Sequence, residues 1–77
     1  MAHYVVETTP EERQKVLEAI KEIEGKTTPV SAIARLAGLS ESRTRYSIID
    51  LIDEGKIQRI PTKAFNTHYI RYSYKIL

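Results

Sequence analysis

The chain contains no cysteine, and this absence excludes structural disulfides, thiolate zinc sites and cysteine nucleophiles. Its two histidines, His3 and His68, are far apart in the sequence, so neither a metal site nor a cofactor is expected. The sequence also has no long apolar run and no charged segment that leads into one. We therefore predict no membrane span and no signal peptide, and we expect a cytoplasmic protein.

The motifs that carry enzymatic chemistry are also missing. The sequence has no glycine loop able to hold a phosphate and no recognisable pairing of histidine with a carboxylate, so we expect neither an enzyme nor a small-molecule ligand. Glycine and proline are scarce, with three of each, while 42% of the residues are apolar and 29% are charged. This is the composition of a folded domain, and 77 residues are enough for one domain spanning 1–77.

Acidic and basic residues are unevenly distributed along the chain. Residues 1–24 hold six acidic and three basic residues, a net charge of −3, whereas residues 25–77 hold nine basic and four acidic residues, a net charge of +5. From Lys56 onward there are five basic residues and no acidic one. This asymmetry predicts a positive surface that attracts a polyanion, with the acidic first helix on the far side of the molecule.

The first helix has clear signals at both ends. Thr9 is a plausible N-cap, Pro10 suits the first helical position, and Glu12 completes a capping box. Apolar residues then recur at helical spacing until Gly25, which is typical of a helix end. These signals predict a helix over residues 10–24, followed by a short extended link, "KTTPV".

A second, shorter helix is predicted in "SAIARLAGLS". Ser31 would cap it, and Ile33 and Leu36 would face inward. Gly38 would end the helix with a positive φ, and Leu39 would bury the corner that follows.

The third helix is predicted over residues 41–54. Ser40 would cap its free amides, and Ile48 and Leu51 would face the core. Stepping back four residues places Thr44 on the same inward face. The side chains left on the outside are those of Ser42, Arg43, Arg45 and Tyr46, with Ile49 as a further candidate.

The pattern changes after Gly55 from a helical period to a period of two. "KIQRI" alternates imperfectly, whereas "HYIRYSYKIL" alternates cleanly, with Ile70, Tyr72, Tyr74 and Ile76 on one face. Between them "PTKAFNT", residues 61–67, has the composition of a hairpin loop. The predicted fold class is therefore α+β, mainly α, with three helices followed by a C-terminal β-hairpin.

This order of elements resembles the winged helix-turn-helix family, in particular small prokaryotic or archaeal, plasmid- or virus-type transcription regulators. The resemblance spans residues 10–77 and is best in "VSAIARLAGLSESRTRYSIIDLIDEGKI". The residues that carry it are Gly38, Leu39, Ser40, the acidic pair Asp53 and Glu54, Gly55 and Ile57. It implies a double-stranded DNA-binding protein, with the third helix in the major groove and the hairpin as the wing.

The candidate DNA-binding residues follow from this arrangement. An arginine can pair with a guanine edge, and hydroxyls such as those of Ser42, Ser47 and Tyr46 suit phosphates. Lys63 would lie in the hairpin loop, with Arg59 and Arg71 on its strands, close to the DNA backbone or minor groove. The full set is Ser42, Arg43, Arg45, Tyr46, Arg35, Arg59, Lys63 and Arg71.

Other interpretations stay open beside this one. Arg35 is either a plain surface residue or a phosphate clamp, and the whole domain is either a DNA reader or a winged-helix module that binds another protein. A single-stranded nucleic-acid binder using Tyr69 is a third hypothesis.

A homodimer is also predicted, because Ile49, Ile52 and the segment Tyr4 to Val6 are more apolar than one small core needs. That segment lies in an N-terminal arm, residues 1–8, which would be a strand, a dimer contact or a frayed end.

Overall fold

The computed structural model describes residues 7–63 and 70–77, with the backbone alone at positions 63 and 70. In chain order these residues form helices α1 (Pro10–Ile23), α2 (Val30–Ala37) and α3 (Glu41–Asp53) and the strands β1 (Ile57–Lys63) and β2 (Ile70–Ile76). The two strands pair as an antiparallel hairpin. The predicted fold class, three helices followed by a C-terminal hairpin in the winged-helix topology, is confirmed.

Helix α1 begins at the predicted capping box. The Oγ1 atom of Thr9 accepts a hydrogen bond from the Glu12 amide at 3.1 Å, and Oε1 of Glu12 accepts one from the Thr9 amide at 2.9 Å. Pro10 occupies the first position of the helix, where no amide hydrogen is needed. These local bonds satisfy donors that the helix itself leaves free, which is why the sequence predicts this start correctly.

The turn between α2 and α3 also has the predicted geometry. Gly38 adopts a φ of +71°, and the amide of Leu39 returns to the Ala34 carbonyl at 3.0 Å. Ser40 then accepts a hydrogen bond from the Arg43 amide through its Oγ atom at 3.2 Å. The angle between the two helices is therefore set by one left-handed residue and one side-chain cap.

Two predictions about α2 are wrong. The helix begins at Val30 with Pro29 at the N-cap and no side-chain cap, so Ser31 lies inside the helix instead of capping it. Leu36 is 51% exposed and does not face inward. A helix turns about 100° per residue, so α2 packs through a stripe centred on Ala37 with Ile33 and Ala34 to either side, and Leu36 lies about 100° from its centre.

The hairpin is longer than the pattern indicates. Ile57 pairs with Ile76 at one end and Lys63 with Ile70 at the other, so Lys63 belongs to β1 and not to the loop. Pro61 also lies within β1, opposite Tyr72. Proline is tolerated there because β1 is an edge strand, where its missing amide hydrogen costs no ladder bond.

The outer edge of β2 is covered by the segment that links α1 to α2. The amides of Gly25 and Thr28 donate to the carbonyls of Tyr74 and Tyr72 at 3.1 and 3.0 Å. The Ile76 amide donates to Oε2 of Glu24 at 2.7 Å. The predicted extended link therefore runs along the edge of β2 and satisfies part of its backbone hydrogen bonding.

One buried cluster joins all five elements. Its residues are Val16, Ala19, Ile20, Ile33, Ala37, Ile48, Leu51, Ile57 and Tyr74. Burial raises the pKa of the Tyr74 phenol, as expected where the charged form loses its hydration. Within the described residues, no helix has the length and apolar character needed to cross a bilayer.

Candidate nucleic-acid interface

Arg45 lies where α3 meets the hairpin. It is exposed and lines a groove that also contains Val30 at the start of α2 and Arg71 and Tyr72 on β2. This brings an arginine from the helix next to an arginine from the hairpin.

A second part of the same surface lies between α3 and β1. It is lined by Val30, Arg45, Ile48, Ile49, Arg59 and Tyr72. The strand register explains why Arg59 is there, because Arg59 shares a face of the hairpin with the buried Ile57. Val30, Arg45 and Tyr72 line both hollows, whereas Arg71 and Arg59, which lie on opposite faces of the hairpin, line one each. We call the surface formed by Val30, Arg45, Ile49, Arg59, Arg71 and Tyr72 the basic groove.

The guanidinium of Arg59 lies over the aromatic ring of Tyr72. The guanidinium carbon of Arg59 lies 4.4 Å from the centre of the Tyr72 ring, a cation–π contact. Tyr72 is half-buried and packs against the core, so its ring is a fixed support for the arginine. The contact restricts the arginine side chain without neutralising its charge.

One acidic residue also lines the groove. Glu41 lies one turn before Arg45 on α3, with 3.7 Å between its Oε2 atom and Nη2 of Arg45. Both side chains are more than half exposed, so solvent screens the attraction and the pair is weak. Arg45 is therefore available to a stronger anion.

Arg43 does not face outward as predicted. Its guanidinium donates from Nε to Oε2 of Glu12 at 2.7 Å and from Nη2 to Oε1 at 2.5 Å, and Nη2 also donates to the Glu7 carbonyl at 3.0 Å. Two parallel bonds to one carboxylate form the strong bidentate geometry of arginine. Arg43 thus joins the start of α3 to the start of α1, away from the basic groove.

The charges of this pair stabilise each other. The hydrogen bonds from Arg43, followed by that from the Thr9 amide, lower the pKa of Glu12 from 4.5 to about 2. In turn, the bond to Glu12 raises the pKa of Arg43. The negative charge of Glu12 at the start of α1 is thus balanced by the positive charge of Arg43.

The other candidates on α3 divide into exposed and buried ones. Ser42 is exposed and Tyr46 is 39% exposed. Ser47 is fully buried, and within the described part of the chain its Oγ atom has no hydrogen-bond partner. The expectation that this hydroxyl reaches a phosphate is wrong, because Ser47 shares the inward face of α3 with Thr44 and Ile48.

Of the remaining candidates, the structure places Arg35 outside the basic groove. Arg35 is exposed in the last turn of α2 and lines neither part of the groove. The side chain of Lys63 lies outside the described residues, as do Tyr69, His68 and the segment Tyr4 to Val6.

A polar network between α1 and α3 was not predicted from the sequence. Thr8 is buried and donates from Oγ1 to Oδ2 of Asp50 at 2.5 Å. Arg13 donates to the Thr8 carbonyl at 2.6 Å and forms an ion pair with Glu54 at 3.1 Å. No spacing rule in the sequence pairs residues some forty positions apart.

The described residues contain no cluster of histidine and carboxylate side chains suited to a metal ion. Comparison of the chain with family models, curated proteins and solved structures gave no match.

Proposed function

We propose that this protein binds double-stranded DNA and regulates transcription, with α3 in the major groove and the hairpin against the backbone or adjacent minor groove. The observation that carries the proposal is the position of Arg45, which lines the basic groove beside Arg71 of β2 on one side and Arg59 of β1 on the other. These arginines come from a helix and from both strands of the hairpin, so the fold itself places them around α3.

The charge of the groove suits a polyanion. Among the described residues that line the groove there are three arginines and one acidic residue, Glu41. The chain from Lys56 onward contains no acidic residue. Each phosphate that a cation neutralises releases condensed counterions, so affinity for DNA should fall steeply with salt. None of the residues that line the groove belongs to the acidic helix α1, which fits an orientation with α1 away from DNA.

The exposed side chains of α3 suit the major groove. An α-helix fits this groove, and an arginine can donate two hydrogen bonds to O6 and N7 of guanine. We assign base contact to Arg45, with Ser42 and Tyr46 on base edges or phosphates. Arg59 and Arg71 would hold the DNA backbone, with Lys63 and Arg35 as further phosphate contacts. Arg43 would contribute only if its pair with Glu12 opened.

Two substitutions with opposite effects test the proposal. Arg45→Ala removes a base contact worth about 1–3 kcal/mol, so affinity for a duplex selected from a random pool should fall at least fivefold and specificity should relax. Glu41→Gln removes the acid that competes for Arg45 and repels phosphate, so affinity should rise. Titrations at two salt concentrations measure both effects.

Lys15→Ala is the matched control, because it removes a positive charge from an exposed position of α1 outside the groove. It should change affinity little. Equal affinities of wild type, Arg45→Ala and Glu41→Gln for selected and random duplexes would refute the proposal.

A second candidate is a module that binds another protein. The exposed Leu36 favours it, since it lies in a separate groove between α1 and α2 with Lys15 and Glu18. Weak duplex binding without salt dependence, together with wild-type affinity of Arg45→Ala, would support this function instead.

A further inference from the structure

Ile49 is an exposed aliphatic residue in the middle of a basic surface. It is 48% exposed and lies outside the buried cluster that joins the five elements. Arg45 precedes it by four residues and Tyr46 by three, so all three share one face of α3. Core packing therefore does not account for an isoleucine at this position.

The surroundings of Ile49 indicate the chemistry of its partner. The part of the basic groove that contains Ile49 is lined by two arginines, by the apolar Val30 and Ile48 and by the half-buried Tyr72, and none of these described lining residues is acidic. A partner must bring negative charge to the arginines and an apolar group to the isoleucine within one turn of helix.

A second copy of this chain does not meet this requirement. A twofold contact places the same patch of both copies together, so the two arginines of one copy would lie close to those of the other. Like charges brought together in this way oppose association. The major groove of DNA offers both the negative charge and the apolar group. Phosphates flank this groove, and the 5-methyl group of thymine is an apolar group on a base edge within it.

We propose that Ile49 contacts a thymine 5-methyl group and so selects an A·T pair next to the base that Arg45 reads. This inference rests on the proposed DNA-binding function and deepens it. One helical turn advances about 5.4 Å, and base pairs are spaced about 3.4 Å apart, so the thymine lies within two base pairs of the Arg45 contact.

Deoxyuridine provides a test that removes the methyl group alone. Each thymine of a duplex selected from a random pool is replaced in turn by deoxyuridine, which pairs with adenine in the same way. For wild type, one or two adjacent replacements should weaken binding about fourfold, the effect of losing one buried methyl group. For Ile49→Ala, the same replacements should have no effect.

The positions of the effect are also predicted. They should lie within two base pairs of the pair at which Arg45→Ala relaxes specificity. Leu36→Ala is the matched control, because Leu36 is 51% exposed but lies on α2 outside the basic groove. This variant should keep the full sensitivity to deoxyuridine. Thermal unfolding should show that both variants fold.

Each other outcome contradicts a specific statement. If no duplex binds, the proposed function fails and this inference with it. If wild type binds but no deoxyuridine replacement weakens binding, or if Ile49→Ala keeps the sensitivity, only the inference fails. If sedimentation shows a dimer that Ile49→Ala dissociates, a second copy covers Ile49 and the inference is refuted.

Discussion

At the scale of single residues, the two buried hydroxyls of α3 differ in one respect. Thr44 donates from Oγ1 to the Ser40 carbonyl at 2.8 Å, whereas the Oγ atom of Ser47 has no partner among the described residues. A buried polar group without a hydrogen bond costs about 1–3 kcal/mol. The same helix face therefore carries one hydroxyl that stabilises the fold and one that opposes it.

We expect opposite results on replacing them. Ser47→Ala should raise the free energy of unfolding by about 1 kcal/mol, and Thr44→Val should lower it by about 1 kcal/mol. Urea denaturation measures both changes. Because alanine also favours helix, Ser42→Ala on the exposed face supplies the control for propensity. A destabilised Ser47→Ala variant would show that its hydroxyl makes a bond.

Sequence patterns identify residues well where the cause is local. The cap at Thr9, the left-handed Gly38 and the cap at Ser40 each depend on neighbours within five positions, and all three were predicted. Arg43 was misplaced because its partner Glu12 is 31 residues away. An arginine near the start of α3 has the same sequence pattern whether it faces DNA or another helix.

At the scale of elements, α1 and α3 are joined at their first turns by Glu12 and Arg43. The two side chains are 17% and 35% exposed, so the pair is partly shielded from water. The carboxylate of Glu12 also completes the capping box of α1. A single charged group thus connects the start of one helix to the start of another.

This pair should make stability depend on pH. The pKa of Glu12 is about 2 in the folded chain and has its ordinary value of 4.5 in the unfolded chain, so between these values the unfolded chain binds more protons. The stabilisation is complete above pH 4.5 and is lost as pH falls toward 2. Glu12→Gln keeps a capping acceptor but loses the charge.

Thermal unfolding from neutral pH to about pH 2 checks this expectation. The Tm of wild type should exceed that of Glu12→Gln near neutral pH, and the difference should shrink toward zero in acid. Glu22→Gln, at an exposed position of α1, is the control and should show no such trend. A difference between wild type and Glu12→Gln that stays constant with pH would contradict the role of the charge.

The hairpin shows where patterns at this scale are insufficient. Alternation correctly predicts that Tyr72 and Tyr74 face the core, but the composition around Pro61 predicts a loop where β1 continues. Proline marks either a turn or an edge strand, and the tertiary position of the strand decides between them. The basic groove depends on the same register, so its composition follows from the fold and not from any local motif.

At the scale of the whole molecule, the predicted homodimer has weaker support than the sequence indicated. Ile52 packs against the core, and we propose that Ile49 contacts DNA. A winged-helix dimer would place two recognition helices about 34 Å apart on a palindromic site. A dimer seen by sedimentation both with and without DNA would support the homodimer, and a monomer under both conditions would contradict it.

The link between α1 and α2 has a consequence for how the protein behaves at high concentration. An uncovered strand edge is a template on which other chains add strands and aggregate. Here the bonds from Gly25 and Thr28 cover β2, and Pro61 removes a backbone donor from the middle of β1. A two-stranded sheet with one covered edge and one interrupted edge resists growth into fibres, so the chain can keep an exposed wing without exposing a seed for aggregation.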